Sequence, residues 1–303
     1  MDVTPLPRLW RPRSYAARVA TTSADAALDL PVELPAIPER SLLRDARTDL
    51  RDLVRYRHLL RYLVGSALRT ENANTVFGFL WWVLDPLLQC AVYVVFIGVI
   101  LGHGGEDFPI FVLTALIVWE LFSVATSDAV TTTVRKEESM RQVAYPKSVL
   151  PLARVLGAAV HFAASYVVVV LVAIPFGIYP SMYSLLGVPV ALVVLVFTLG
   201  VSFFLSAVNV FFRDTTKLIR YVFRMWFYLS PALYAVSQVP ESFRSLYELN
   251  PFATFFTAFR DAVMYHHVPD FAALAIVLAS SLVILALGYV FFVRLEPWFA
   301  KLI

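Results

Sequence analysis

Few side chains in this 303-residue chain have the type and spacing to do chemistry. Asp85, Glu120 and Asp128 stand within or beside long apolar runs, where a carboxylate must face protein or water rather than lipid. They suit either a proton relay or helix-packing hydrogen bonds, and Asp85, next to Pro86, favours the second. Arg57, Arg61 and Arg69 recur in a segment where leucines alternate with arginines, the pattern of an amphipathic helix whose basic face meets anionic head groups or bulk water. A third group runs from Arg135 to Lys147 and carries Lys136, Glu137, Glu138, Arg141 and Tyr145 between two apolar runs. It has to lie outside a bilayer. Its mixed charge, bounded by Pro146, offers a docking surface for a water-soluble partner, or else a solvated loop.

Other chemistry is missing. No Gly-x-x-x-x-Gly-Lys-Ser/Thr loop occurs, so the chain cannot hold ATP by that mechanism. The five histidines lack zinc-protease or deaminase spacing, and a single cysteine, Cys90, builds neither a disulfide framework nor a thiolate metal site, so no metal is expected. No Gly-x-Ser-x-Gly elbow or acid pair suggests a catalytic residue. A net charge of +3 is too small to argue for nucleic acid. Three classes stay open on composition: a transporter subunit, an integral-membrane enzyme of lipid-linked glycan assembly, and a scaffold.

The elements that position these residues are set by hydropathy. With 59% hydrophobic and only 16% charged residues, water is not the main solvent. Residues 1–40 carry six prolines, scattered arginine and no apolar signal core, and read as a disordered cytoplasmic tail. Residues 41–72 form the amphipathic interface helix, and residues 73–303 the transmembrane domain. Spans are expected at about 76–101, 109–134, 150–178, 185–212, 218–236 and 271–293. Lys and Arg number 12 in residues 1–75, four in 135–147, four in 213–224 and two at the C-terminal end, against only Arg244 and Arg260 in the outer connections. The expected fold is thus an all-α integral membrane protein with six spans and both termini cytoplasmic. Asn250 caps, and Pro251 opens, a helical run to about Tyr265 that is too short to span and reads as re-entrant or interfacial on the outer side.

Four passages carry a resemblance. Gly78-Phe79-Leu80-Trp81-Trp82-Val83-Leu84-Asp85-Pro86-Leu87-Leu88, Tyr145-Pro146-Lys147-Ser148-Val149-Leu150-Pro151-Leu152, Asn209-Val210-Phe211-Phe212-Arg213-Asp214, and Leu229-Ser230-Pro231-Ala232-Leu233-Tyr234 followed by Leu249-Asn250-Pro251-Phe252 occur in this order. Together they resemble the membrane subunit of polysaccharide-exporting ABC transporters, the ABC-2 type permeases that move O-antigen, teichoic acid, capsule or galactan chains across the bacterial inner membrane. The likeness covers roughly residues 50 to 300. Asp85 stands where many relatives have Asn, and Tyr145 where many have Phe.

The resemblance implies a homodimer paired with two copies of a separate ATPase subunit, which would hold the ATP and Mg while this chain binds no cofactor. Its substrate would be a polysaccharide on undecaprenyl diphosphate. Arg135, Lys136, Glu137, Glu138, Arg141 and Tyr145 would then be the ATPase-coupling stretch. Arg57, Arg61 and Arg69 would meet the lipid diphosphate at a lateral opening, because a guanidinium fork matches a pyrophosphate. Tyr93, Trp226, Tyr228 and Tyr234 would line the sugar path, as aromatic faces can hold a sliding polymer that tight hydrogen bonds would stall. The helix with Asn250, Pro251, Phe252, Phe255 and Phe256 would close the outer end.

Overall fold

The computed structural model describes residues 55–71, 75–102, 104–135 and 145–302. The expected tail, the first part of the expected interface helix and coupling residues Lys136, Glu137, Glu138 and Arg141 lie outside these residues. Every regular element among the described residues is helical. The α-helices are α1 (Arg57–Glu71), α2 (Trp81–Tyr93), α3 (Phe108–Arg135), α4 (Val149–Ala173), α5 (Gly187–Phe211), α6 (Thr215–Leu229), α7 (Arg244–Glu248), α8 (Pro251–Val263) and α9 (Phe271–Leu302). A 3-10 turn, Gly78–Leu80, precedes α2, and a π-helical end, Val94–Ile100, extends it.

Among the described residues, five stretches are long and apolar enough to cross a membrane: Gly78–Ile100, Phe108–Val134, Val149–Phe176, Met182–Phe211 and Phe271–Phe299. They match five of the six expected spans, the last running further than 293. The segment expected at 218–236 is different. It is α6, 15 residues long, which at 1.5 Å per residue reaches roughly 22 Å and falls short of a hydrocarbon core about 30 Å thick. Ser230 turns to extended backbone (ψ 154°) ahead of Pro231, the conformation a residue before proline prefers, so the helix stops rather than kinks.

Burial ranks the helices. In α3, 67% of the most apolar window is buried, against 11% for the span containing α2 and 22% for α9. Helix α3 is therefore the central post, with α4 and α5 packed along it and α1 lying against α4. Its neighbourhood is aromatic: Trp119 meets Phe252 at 4.8 Å between ring centroids, and Phe122 meets Phe223 at 4.8 Å and Phe252 at 4.9 Å. Between membrane helices such packing, not water exclusion, holds the bundle.

Helices α5 and α9 make the most extensive pairing among the described residues, and they cross at Gly200 and Gly288. A Cβ on Gly200 would sit 2.6 Å from the Leu285 nitrogen, and one on Gly288 would press on the Gly200 carbonyl oxygen. Backbone meets backbone there, as small residues allow.

At the basic end, a polar seam joins α3, α5 and α6. Ser202 Oγ donates to Thr126 Oγ1 (3.2 Å), Asn209 Nδ2 donates to the Val130 carbonyl (3.1 Å), and Thr216 Oγ1 donates to Asn209 Oδ1 (2.9 Å). Asn209, 2% exposed, ties three helices with one amide. Asn209→Leu is expected to cost about 1–3 kcal/mol, because the Val130 carbonyl and Thr216 hydroxyl lose their buried partner; thermal unfolding of the purified protein in detergent checks this.

Candidate functional site

Three of the four expected path-lining aromatics come together. The Tyr93 hydroxyl of α2 lies 3.3 Å from the Tyr228 hydroxyl of α6, and Tyr234 Oη donates to the Tyr228 carbonyl at 3.1 Å. Tyr234 and Tyr247 share a hydrogen bond of 2.5 Å between hydroxyls. Around these tyrosines both helices leave large side chains exposed: Leu88, Val92 and Phe96 on α2 and its extension, and Tyr221, Met225 and Leu229 on α6. Asp85 and Gln89 lie on the exposed side of α2 as well, and Arg224, one turn before Tyr228, is exposed on α6. The result is a face of apolar surface studded with hydroxyls and a few charges.

Trp226 departs from the expectation. Its indole turns away from that face and packs edge-on to Phe252 at 5.0 Å and Phe122 at 5.6 Å, while its Nε1 donates to Asn250 Oδ1 at 3.2 Å. It braces α6 against the start of α8. The same Asn250 Oδ1 accepts from the Phe252 N–H at 3.1 Å, and its Nδ2 donates to Ser230 Oγ at 2.9 Å, so one amide caps α8 and fastens the end of α6. Phe252, Phe255 and Phe256 are all 0% exposed. As placed they are core rather than a surface barrier, because α8 turns its Phe-rich side onto α3 and α5; Asn250 and Pro251 are half-buried.

Arg260 was counted above only as an outer charge. It is 3% exposed. Its Nη1 donates to the Pro231 carbonyl (2.8 Å), Nη2 to the Ala232 carbonyl (2.7 Å) and Nε to the Phe111 carbonyl (3.2 Å), with the guanidinium 3.4 Å above the Phe111 ring. A fork with fixed donors thus serves the Pro231 and Ala232 carbonyls, which the break after α6 leaves without helical partners, and ties them to α3 through the Phe111 carbonyl, which also accepts from Thr114 Oγ1 at 2.9 Å. The signal was present in sequence: Phe252, Phe256 and Arg260 recur every four residues, which places the arginine on the apolar side of α8.

Asp85 stands on α2 and Glu120 on α3, two helices that pack against each other. Arg57, Arg61 and Arg69 are exposed on α1. Of the expected coupling residues, Tyr145 is described, with its hydroxyl pushed up by burial. Arg135 ends α3, and nothing is described of its side chain. Beside Tyr145, the Lys147 N–H donates to Glu296 Oε1 on α9 at 3.0 Å, and Lys147 Nζ donates to the Glu296 carbonyl at 3.4 Å. Burial lowers the Lys147 ammonium from the usual lysine range, and the Glu296 charge opposes that shift. No group of three or more metal-ligating side chains occurs among the described residues.

The family profile described as "ABC-2 type transporter" matches residues 51–264. The chain belongs to the ABC-2 type transporter family. An O-antigen export system permease protein RfbA of Myxococcus xanthus is 31% identical over 238 residues, covering 78% of this chain and 92% of the relative. A protein of the same name from Klebsiella pneumoniae is 26% identical over 246 residues, covering 81% and 95%. This ABC-2 chain is a transport subunit, and a multi-pass protein of the inner membrane, whose family works with a separate ABC ATPase.

Proposed function

We propose that this ABC-2 permease is the transmembrane subunit of an exporter that moves an O-antigen-type polysaccharide, carried on undecaprenyl diphosphate, from the cytoplasm across the inner membrane. The observation that carries the reading is the match to O-antigen export permeases along 92% and 95% of their length. The joined Tyr93, Tyr228 and Tyr234 support it, since hydroxyl-bearing aromatic faces give a sliding sugar chain apolar contact and exchangeable polar contacts. Two copies of the chain pair with two ATPase subunits that hold ATP and Mg, and Arg135 to Lys147 transmits their motion. The outer end is closed by α8 acting as a packed wall, with its phenylalanines inside.

A bacterium deprived of this chain should accumulate lipid-linked polymer on the cytoplasmic face and lose it from the cell surface, with both effects reversed by restoring the gene. Accumulation of a different lipid-linked product, or an unchanged surface, would refute the reading.

Arg57, Arg61 and Arg69 meet the lipid diphosphate where it enters sideways. Arg61→Lys keeps the charge but loses the two-pronged donor, so export is expected to fall about tenfold, in the range of one lost charge-assisted contact. Surface polymer normalised to permease in the membrane checks this. An unchanged value would mean that Arg61 only touches anionic lipid.

A further inference from the structure

The stretch proposed to couple to the ATPase is continuous with α3 and α4, and motion passed to them needs only the chain itself. The structure adds a third connection that sequence does not show. The Lys147 N–H and Nζ both reach Glu296, 149 residues away, and Nζ stands 5.6 Å above the ring of Phe299. The socket around them is firm: Ser148 and Val149 are 0% exposed, and Phe299, 1% exposed, packs on Phe292 at 5.2 Å. From Glu296, helix α9 runs back to Phe271, roughly 38 Å along its axis. Near that end Leu274 and Val277 share a core with Phe252, Phe255 and Phe256 of α8. Between the two ends, α9 is held to α5 by the Gly200 and Gly288 crossing.

We propose that the Lys147–Glu296 joint passes displacement of the coupling stretch to α9, which acts as a tie to the outer helix α8, so that Glu296 is a positioning residue for export. The proposal rests on the coupling role given above to Arg135 to Lys147. A helix is stiff along its axis, and its packed contacts have few alternative arrangements, so a shift at Lys147 reaches α8 without unfolding anything between.

The test compares purified permease–ATPase assemblies and cells carrying the same variants. Glu296→Ala removes the acceptor for the Lys147 N–H. It is expected to lower surface polysaccharide per assembled complex about tenfold, the size of a typical coupling between sites, while ATP hydrolysis in vesicles continues. Glu296→Gln keeps an oxygen that can accept the N–H and should restore most of the export. Lys147→Cys with Glu296→Cys, in a Cys90→Ala background, should still export when oxidised, because the joint moves as one body. The proposal is overturned if Glu296→Ala exports normally per complex. It is equally overturned if export and hydrolysis fall in proportion, or if the loss only tracks the amount of assembled complex. Reversing the charges at Arg135, Lys136 and Arg141 separates the two readings. Uncoupling there with normal export in Glu296→Ala sinks the tie alone, whereas normal export in both sets sinks the coupling role as well.

Discussion

Arg260→Met should lower stability by about 3–5 kcal/mol, the range for removing one partner from a buried charged network. The methionine fills much of the arginine's volume, so the loss comes chiefly from the buried carbonyls of Pro231 and Ala232, which lose their donors, while the Phe111 carbonyl keeps the Thr114 hydroxyl (2.9 Å). Arg260→Lys should recover little. A single ammonium cannot direct donors to three carbonyls on two segments while lying flat on the Phe111 ring. Thermal unfolding in detergent reads the loss, and a lysine variant as stable as the native protein would show that charge alone is what the site requires. Export should fail in both variants, since the broken end of α6 carries Tyr228 and leads into Tyr234.

Gly288→Val should be almost as damaging, at about 3 kcal/mol, the upper part of the usual range for overpacking. Its Cβ would press on the Gly200 carbonyl, and backbone cannot swing aside as a long side chain can. The expected sign is loss of correctly assembled protein from the membrane together with an earlier unfolding transition. Gly157→Ala is the control: a Cβ there meets nothing within 4 Å, so helix propensity alone predicts a change of at most about 1 kcal/mol, in the stabilising direction. If Gly288→Val and Gly157→Ala behave alike, the close crossing of α5 and α9 is not what holds them together.

Hydropathy made most of the spans legible, because twenty or more apolar residues between charged segments admit one reading in a membrane. It was less informative at α6, where the helix ends before Pro231 although apolar residues continue, because that stop depends on a partner for the freed carbonyls, Arg260, that lies in another element. The Asn250-Pro251 start of α8 was legible because capping is local. The inward turn of Trp226 was not, since Trp226 and Tyr228 are near neighbours in sequence yet point to different sides of α6. Gly200 and Gly288 look like ordinary membrane glycines until the two helices are superposed at their crossing. Likewise the Lys147–Glu296 joint is invisible to any local pattern.

The Arg260 clamp also bears on how the protein is made. A ribosome delivers Pro231 and Ala232 first, and only after α7 and most of α8 the guanidinium that donates to both carbonyls. Until then the end of α6 carries exposed carbonyls that hydrocarbon would penalise by several kcal/mol each. The nascent chain must therefore keep this segment in contact with water or with the insertion machinery until Arg260 has been synthesised. Residues 229–260 enter their final place as one unit, and settling of the end of α6 waits on a residue synthesised about thirty positions after it.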